Sequence, residues 1–152
     1  MAVNKIFVII DPTTELQPAF ERGLDSARDT GATLHLYACS DATSGCSSLD
    51  EARSKVQPSL DKLASRASQE GFKAETELEW ASDWAKQAVS AAARCGASMI
   101  FKNSADHNPV QRELRATSDW TLLRMAPCPV LMVKNFHDWR TRKVLAAIKC
   151  DT

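Results

Sequence analysis

The chain has 152 residues, of which 44% are hydrophobic and 25% charged, so it is long enough for one globular domain with a real core. Its 19 Lys and Arg residues balance its 19 Asp and Glu residues. This zero net charge argues against nucleic acid or an anionic membrane as a partner. No apolar run approaches the roughly 20 residues that cross a bilayer, and the apolar run near the start is too short for a signal peptide. We therefore expect a cytoplasmic protein.

The cysteines are odd in number, and no pair has the C-x-x-C spacing. The three histidines do not combine with them into a zinc-binding pattern. We therefore expect reduced thiols and no metal site. The five cysteines are Cys39, Cys46, Cys95, Cys128 and Cys150.

The chain begins with a strand, a helix and a second strand. Lys5–Ile10 is a continuous apolar run rich in β-branched residues, which is typical of a strand buried on both faces. Apolar residues then recur at helical spacing over Leu16–Ala27. Gly31 follows where a helix commonly ends in a left-handed residue. Thr33–Cys39 predicts the second strand.

A longer helix and an edge strand follow. Ser48 and Glu51 fit the S-x-x-E capping box, and Leu49–Ala67 then carries one apolar stripe. Pro58 lies off that stripe and should kink the helix or split it in two. Lys73–Trp80 alternates loosely and is charged, which predicts a third strand near an edge of the sheet.

The remaining elements complete the alternation of strands and helices. Ser82 or Asp83 should cap a third helix that ends at Gly96, and the apolar runs Met99–Phe101 and Val130–Val133 predict the fourth and fifth strands. This order predicts an α/β fold, a five-stranded open parallel sheet with helices on both faces. In such sheets ligands bind beyond the carboxyl ends of the strands, so any site should involve residues 102–118.

Two runs near the end of the chain carry a family resemblance. Leu122–Val133 reads LLRMAPCPVLMV and resembles the close of a universal stress protein domain. Ser118–Arg124 reads SDWTLLR and is similar to the first domain of the tandem-domain UspE branch. The resemblance implies a Rossmann-like fold of the adenine nucleotide alpha hydrolase type and a role in the stress response. It also implies dimer formation through the last strand, which consists of Val130, Leu131, Met132 and Val133.

The end of the chain echoes its beginning. Residues 143–148 read KVLAAI, about one domain length after the similar run KIFVII of the first strand. We therefore predict a universal stress protein domain over residues 1–135, a linker over 136–142, and the first strand of a truncated second domain over 143–152. A chance match or an ordinary extra strand is the alternative.

ATP-binding members of the family carry G-x2-G-x9-G-S/T in the loop before the last helix. Alignment backward from APCP places the three glycines on Asn103, Asp106 and Ala116, whereas Thr117 keeps the hydroxyl. Glycines there let the backbone approach phosphate. Asn103 tolerates a positive φ, but the Asp106 carboxylate would repel phosphate and Ala116 adds a methyl group. No bound cofactor is therefore predicted, with ATP as the alternative.

Other residues at the same loops keep the alternatives open. Lys102, Arg112 and Arg115 add positive charge, and Asp11 matches an acidic residue that the family places near the nucleoside, although it could equally serve a turn. The positions that match the family's ATP site are Asp11, Thr13, Asn103, Asp106, Ala116, Thr117 and Ser118.

An enzyme is not expected. His107 beside Asp106 could act as a base on Ser104 or Thr117, but a solvated loop is the simpler interpretation, and no catalytic residue is predicted. Cys128, between two prolines, should be packed rather than reactive. Core or interface packing is predicted for the tryptophans Trp80, Trp84 and Trp120.

The favoured function is a non-enzymatic stress-response regulator that acts by protein–protein contact. Its partner would be a second copy of the chain or a second universal stress protein domain. The alternatives are a nucleotide-binding switch with a modified phosphate loop and a domain that binds a small anionic or lipid-like molecule.

Overall fold

The computed structural model describes residues 3–42, 45–104 and 119–134. Five parallel strands form one sheet in the order β3-β2-β1-β4-β5, which confirms the predicted fold class. A helical segment, residues 119–125, precedes the last strand. The elements are β1 Lys5–Ile9, α1 Pro18–Thr30, β2 Thr33–Ser40, α2 Leu49–Gln69, β3 Ala74–Trp80, α3 Trp84–Cys95, β4 Met99–Asn103 and β5 Val130–Val133.

Apolar layers cover both faces of the sheet. Val8 and Phe101 belong to the layer beneath α1 and α2, whereas Phe7 and Ile100 belong to the layer beneath α3. Successive residues of a strand point to opposite faces. A strand that is apolar at every position, such as β1, is therefore buried on both sides, as its sequence predicts.

The helix ends follow local sequence signals with two corrections. α1 begins at Pro18, whose fixed φ suits the first helical position. Leu16 therefore lies outside the helix and is 67% exposed, so its predicted place in the apolar stripe is wrong. Pro58 does not split α2, which is continuous from Leu49 to Gln69. Asp83, rather than Ser82, caps α3 by accepting a hydrogen bond from the Lys86 amide.

The capping box of α2 is present in a modified form. The Ser48 hydroxyl accepts a hydrogen bond from the Glu51 amide at 3.2 Å, as predicted. The Glu51 carboxylate reaches back to the amide of Ser47, at 2.8 Å, rather than to that of Ser48. Two N–H groups at the start of the helix are still satisfied, which is the purpose of the motif.

The two edge strands differ in character. β3 lies at one edge, as predicted, and carries Glu75, Glu77 and Glu79 on the face that it shares with α3. Arg94 pairs with two of these carboxylates. β5 lies at the other edge and is wholly apolar. Charged edge strands discourage further pairing, whereas apolar ones invite it.

Several sequence predictions lie outside the described residues, among them the linker, residues 136–142, and the strand within 143–152. Four of the cysteines are free thiols, as expected, and Cys150 is not described. Within the described ranges, no helix is long and apolar enough to cross a membrane.

Candidate functional site

The carboxyl ends of β1 and β4 bring together two of the predicted site regions. The two strands are neighbours, with Ile9 beside Lys102. Asp11 and Thr13 follow β1, and Asn103 ends β4. Asp106, Ala116, Thr117 and Ser118 lie outside the described residues, together with all other residues from 105 to 118. The site is therefore described from its β1 and β4 sides.

Asn103 caps helix α1 from the neighbouring strand. Its Oδ1 accepts a hydrogen bond from the Ala19 amide at 2.8 Å, and its Nδ2 donates to Gln17 Oε1 at 2.9 Å. Gln17 itself, at the N-cap position, provides no side-chain bond to the helix. Since a helix begins with N–H groups that lack intrahelical partners, this bond satisfies one that would otherwise be buried and unpaired.

Asn103 does not adopt the positive φ that an asparagine tolerates. Asn103 is the last residue of a strand, and no residue other than glycine has a positive φ in the part of the chain that the structure describes. Its side chain is only 8% exposed and points to the start of α1. The amide group thus fills space beside the backbone that a glycine would leave open.

Gln17 ties the β1–α1 loop to this cap. Its Oε1 also accepts from the Asp11 amide at 3.1 Å. Its Nε2 donates to the carbonyl oxygens of Asp11 and Thr14, both at 2.7 Å. The residue is 6% exposed. Sequence reasoning did not select Gln17; the available signal was a long polar side chain directly before the Pro18 that starts the helix.

Asp11 stabilises the turn after β1. Its Oδ1 accepts hydrogen bonds from the amide and the hydroxyl of Thr13, at 2.9 and 2.6 Å. This is an Asx turn, in which a short carboxylate replaces a backbone acceptor. The structure therefore supports the turn role that the sequence offered as an alternative. A contact between Asp11 and a nucleoside remains a prediction.

The Lys102 ammonium contacts a carboxylate, a carbonyl oxygen and an aromatic ring of the same chain. Its Nζ lies 2.9 Å from Oδ1 of Asp119, at the start of the helical segment. The ammonium donates to the Asn103 carbonyl oxygen at 3.1 Å and lies 5.3 Å from the centroid of the Trp84 ring. The side chain is 14% exposed. Sequence reasoning counted Lys102 as positive charge for a ligand and missed Asp119, because the two meet only through the fold.

The tryptophans do not share one role. Trp84 packs against the layer beneath α3, as predicted. Trp80 is 40% exposed and donates from Nε1 to the Cys46 carbonyl oxygen at 3.0 Å. Trp120 is 64% exposed, so a place in the core is wrong for it. Its exposure leaves the interface role as a prediction.

Burial makes the thiols of Cys39 and Cys128 less reactive. Burial raises the pKa of Cys39 to about 11 and raises that of Cys128. A thiol with a raised pKa contains little of the nucleophilic thiolate at neutral pH. This agrees with the packed role predicted for Cys128.

A groove of about 540 Å³ lies between α2 and β3. It runs along the first half of β3, away from the carboxyl ends of β1 and β4. It does not resemble the long apolar cavity expected of a lipid-binding domain, because four of its lining side chains are polar and one is charged. Its lining residues are Asp61, Ala64, Ser65, Ser68, Gln69, Ala74 and Thr76.

Comparison with known proteins identifies relatives of this fold. The family model described as "Universal stress protein family" matches residues 2–134. A universal stress family protein from Burkholderia pseudomallei is 26% identical, with 86% of this chain and 96% of that chain covered and a TM-score of 0.68. A protein of unknown function from Pseudomonas aeruginosa is 28% identical, with a TM-score of 0.74. The match covers 91% of this chain but 45% of that one.

A universal stress protein from Archaeoglobus fulgidus, solved in complex with dAMP, shares the fold at 18% identity. The match covers 88% of this chain and 100% of that chain, with a TM-score of 0.65. The comparison with curated protein sequences gave no match. Because the family model matches residues 2–134, which is most of the chain, the chain belongs to the universal stress protein family.

Proposed function

We propose that this chain is a non-enzymatic, UspE-type regulatory domain that acts by protein–protein contact and does not bind ATP in the pose usual for its family. The observation that carries the proposal is the cap that Asn103 places on α1. The position that matches the first glycine of the ATP motif serves the protein's own structure.

A nucleotide at the ends of β1 and β4 would need free donors and open backbone there. The Ala19 amide already donates to Asn103, and the Asp11 carboxylate already accepts from Thr13. The Lys102 ammonium is paired with Asp119. A ligand would have to break these bonds before it could form its own, which lowers its net affinity.

The edge strand β5 and exposed side chains of the helical segment before it support contact with another protein domain. Leu123 and Met125 are 44% and 51% exposed, and Trp120 is 64% exposed. Trp120 and Leu123, three residues apart, share one face of the helical segment, and exposed apolar patches commonly mark an interaction site. An apolar edge strand also presents unpaired backbone groups to a partner. The proposed partner is a second copy or a second universal stress protein domain.

A tandem form of the protein is part of this proposal. The Pseudomonas relative is about twice as long as the matched region, because the match covers 45% of it. The repeat of KIFVII as KVLAAI at residues 143–148 points the same way. The intact mass of the protein isolated from its source would test the proposal: a native chain no longer than this one would refute the tandem form.

The proposal that the chain does not bind ATP in the usual pose is tested by thermal unfolding with and without millimolar Mg-ATP. A ligand at 100 times its dissociation constant adds roughly 2.7 kcal/mol of stability, which would raise the midpoint of a domain of this size by roughly 5–10 °C. We expect no saturable shift. A saturable shift of that size would replace the proposal with its alternative, a nucleotide-binding switch, which the dAMP complex of the Archaeoglobus relative favours.

The proposed pairing through β5 is tested by light scattering, which measures the molar mass of the isolated chain in solution. We expect a dimer, and we expect Met132→Glu to dissociate it because the substitution places a charge on β5. Leu16→Glu is the matched control, since Leu16 is equally apolar and 67% exposed but lies in the β1–α1 loop. A wild-type monomer at high micromolar concentration, or equal effects of the two substitutions, would contradict pairing through β5.

A further inference from the structure

We propose that Cys95 and Cys128 form a thiol pair, which a small disulfide such as glutathione disulfide oxidises to an intramolecular disulfide bond. The pair lies at the amino ends of β4 and β5, whereas the candidate site lies at the carboxyl ends of the strands. The bond would join the end of α3 to the segment that leads into β5. In a reducing compartment such a bond is transient and serves to sense oxidation. The inference goes beyond the proposed function and does not depend on it.

The register of the sheet places Cys128 at the amino end of β5. Val130 pairs with Ile100, and both side chains contribute to the apolar layer beneath α3. Cys128, two residues before Val130, packs against the same layer, as the alternation of side chains along an extended chain predicts. The Pro129 carbonyl oxygen accepts a hydrogen bond from the Ile100 amide at 2.9 Å, which holds this segment beside β4. The Cys128 side chain therefore lies on the face of the sheet that α3 covers.

Cys95 reaches the same region from the helix. It is the last residue of α3, which ends at Gly96 in the left-handed conformation, and β4 begins soon afterwards at Met99. Because the strands are parallel, the helix between two of them must return to the amino end of the next strand. The Cys95 side chain packs against the same apolar layer as Cys128. The two thiols thus lie together where α3 ends above the start of β4 and β5.

The two thiols also interact electrostatically and are open to a small reagent. Burial raises the pKa of both thiols, and the charge of the Cys95 thiolate raises the pKa of Cys128 further. Salt screens interactions between partly exposed charges beyond roughly 8 Å, so the two sulfur atoms must be neighbours. Neither thiol is fully buried. Gly96 and the prolines on either side of Cys128 are exposed, so a small disulfide can reach the pair.

The reaction is a thiol–disulfide exchange in two steps. One protein thiolate attacks a sulfur of glutathione disulfide, which breaks the S–S bond, forms a mixed disulfide and releases one glutathione. The second protein thiolate attacks the protein sulfur of the mixed disulfide and releases the other glutathione. The chain loses two electrons and two protons, which leave as the two glutathione thiols. The raised pKa slows the first step, whereas the second step is intramolecular and is favoured by proximity.

The experiment maps the disulfides that form when the reduced chain is incubated with glutathione disulfide at pH 8, with and without urea. After an acid quench, mass spectrometry of unreduced peptides identifies each link. In the folded protein we expect the chain to lose two hydrogen atoms and Cys95–Cys128 to be the dominant link. In urea, short loops close most readily. Cysteines that are closer along the chain should then pair instead, namely Cys39 with Cys46 and Cys128 with Cys150.

Two variants separate this pair from the remaining thiols. Cys95→Ser should abolish the linked species, whereas Cys150→Ser should leave its yield unchanged. The map of the unsubstituted chain decides the question even if Cys95→Ser does not fold. The inference would be overturned by a folded chain that forms only mixed disulfides with glutathione, by a link from Cys128 to Cys150 in place of Cys95, or by the same links with and without urea.

Discussion

The cap that Asn103 places on α1 makes a quantitative prediction. Asn103→Ala removes the acceptor of the Ala19 amide and the donor to Gln17. Two hydrogen bonds contribute about 0.5–1.5 kcal/mol each. A buried N–H group left without a partner costs about 1–3 kcal/mol more. The lost hydrogen bond to Ala19 and the unpaired Ala19 amide are the same event and must not be counted twice. We therefore expect the free energy of unfolding to fall by about 2–4 kcal/mol.

The loss should be visible in both chemical and thermal unfolding. For a domain of this size, each kcal/mol shifts the thermal midpoint by roughly 2–4 °C, so we expect a fall of roughly 5–15 °C. Urea unfolding followed by far-ultraviolet circular dichroism measures the free energy directly, provided that the slope of the transition is unchanged. A change in the slope would mean that the variant altered the folded or unfolded ensemble instead.

Three further variants separate the cap from other effects. Asn103→Asp keeps the acceptor and adds a charge that suits the start of a helix, so its loss should be smaller. Asn103→Gly restores the glycine of the family motif and should be at least as destabilising as Asn103→Ala. Asn4→Ala, at an exposed asparagine, should change stability by less than about 0.5 kcal/mol. A loss below about 1 kcal/mol for Asn103→Ala, or a glycine variant as stable as the wild type, would refute the reasoning.

Two predictions follow from the shifted pKa values. A hydrogen bond from Lys55, above all, lowers the pKa of Glu51 from 4.5 to about 2. This stabilisation is therefore present above pH 4.5 and is lost as the pH falls toward 2. Glu51→Gln should lower the urea midpoint modestly at pH 7 and match the wild type near pH 2; a gap independent of pH would contradict this. Cys39, with a pKa of about 11 instead of 9, should hold roughly 100-fold less thiolate at pH 8 than an exposed thiol. Mass spectrometry after brief alkylation should find it unlabelled until urea is added, and rapid labelling of the folded protein would refute its burial.

Strand positions were predicted more accurately from the sequence than helix boundaries. The predicted bounds of β5 agree with the structure, and those of β1 differ by one residue. A strand buried on both faces must be apolar at every position, so its composition alone identifies it. The edge position of β3 followed from its charges, since glutamates can alternate only along a strand with access to solvent.

The helix boundaries were predicted less accurately, because neighbouring residues give competing signals for the start of a helix. Leu16 fits the apolar spacing of α1, yet Pro18 sets the start of that helix two residues later. Ser82 and Asp83 are both good caps, and the backbone direction after β3 decides between them. Local propensity shows which residues are suited to begin or cap a helix, but the tertiary fold decides which of them does so.

The sequence by itself determined the family, the order of strands and helices, and which side chains follow the carboxyl ends of the strands, where parallel α/β sheets generally bind ligands. It did so because burial and alternation leave a pattern that is local along the chain. Only the tertiary structure decided what the residues at these strand ends do. Asn103 reaches Ala19, and Lys102 reaches Asp119, across separations that no local pattern records. A hydrogen bond or an ion pair depends on distance in space, so the partners of Asn103 and Lys102 could not be predicted from the local sequence.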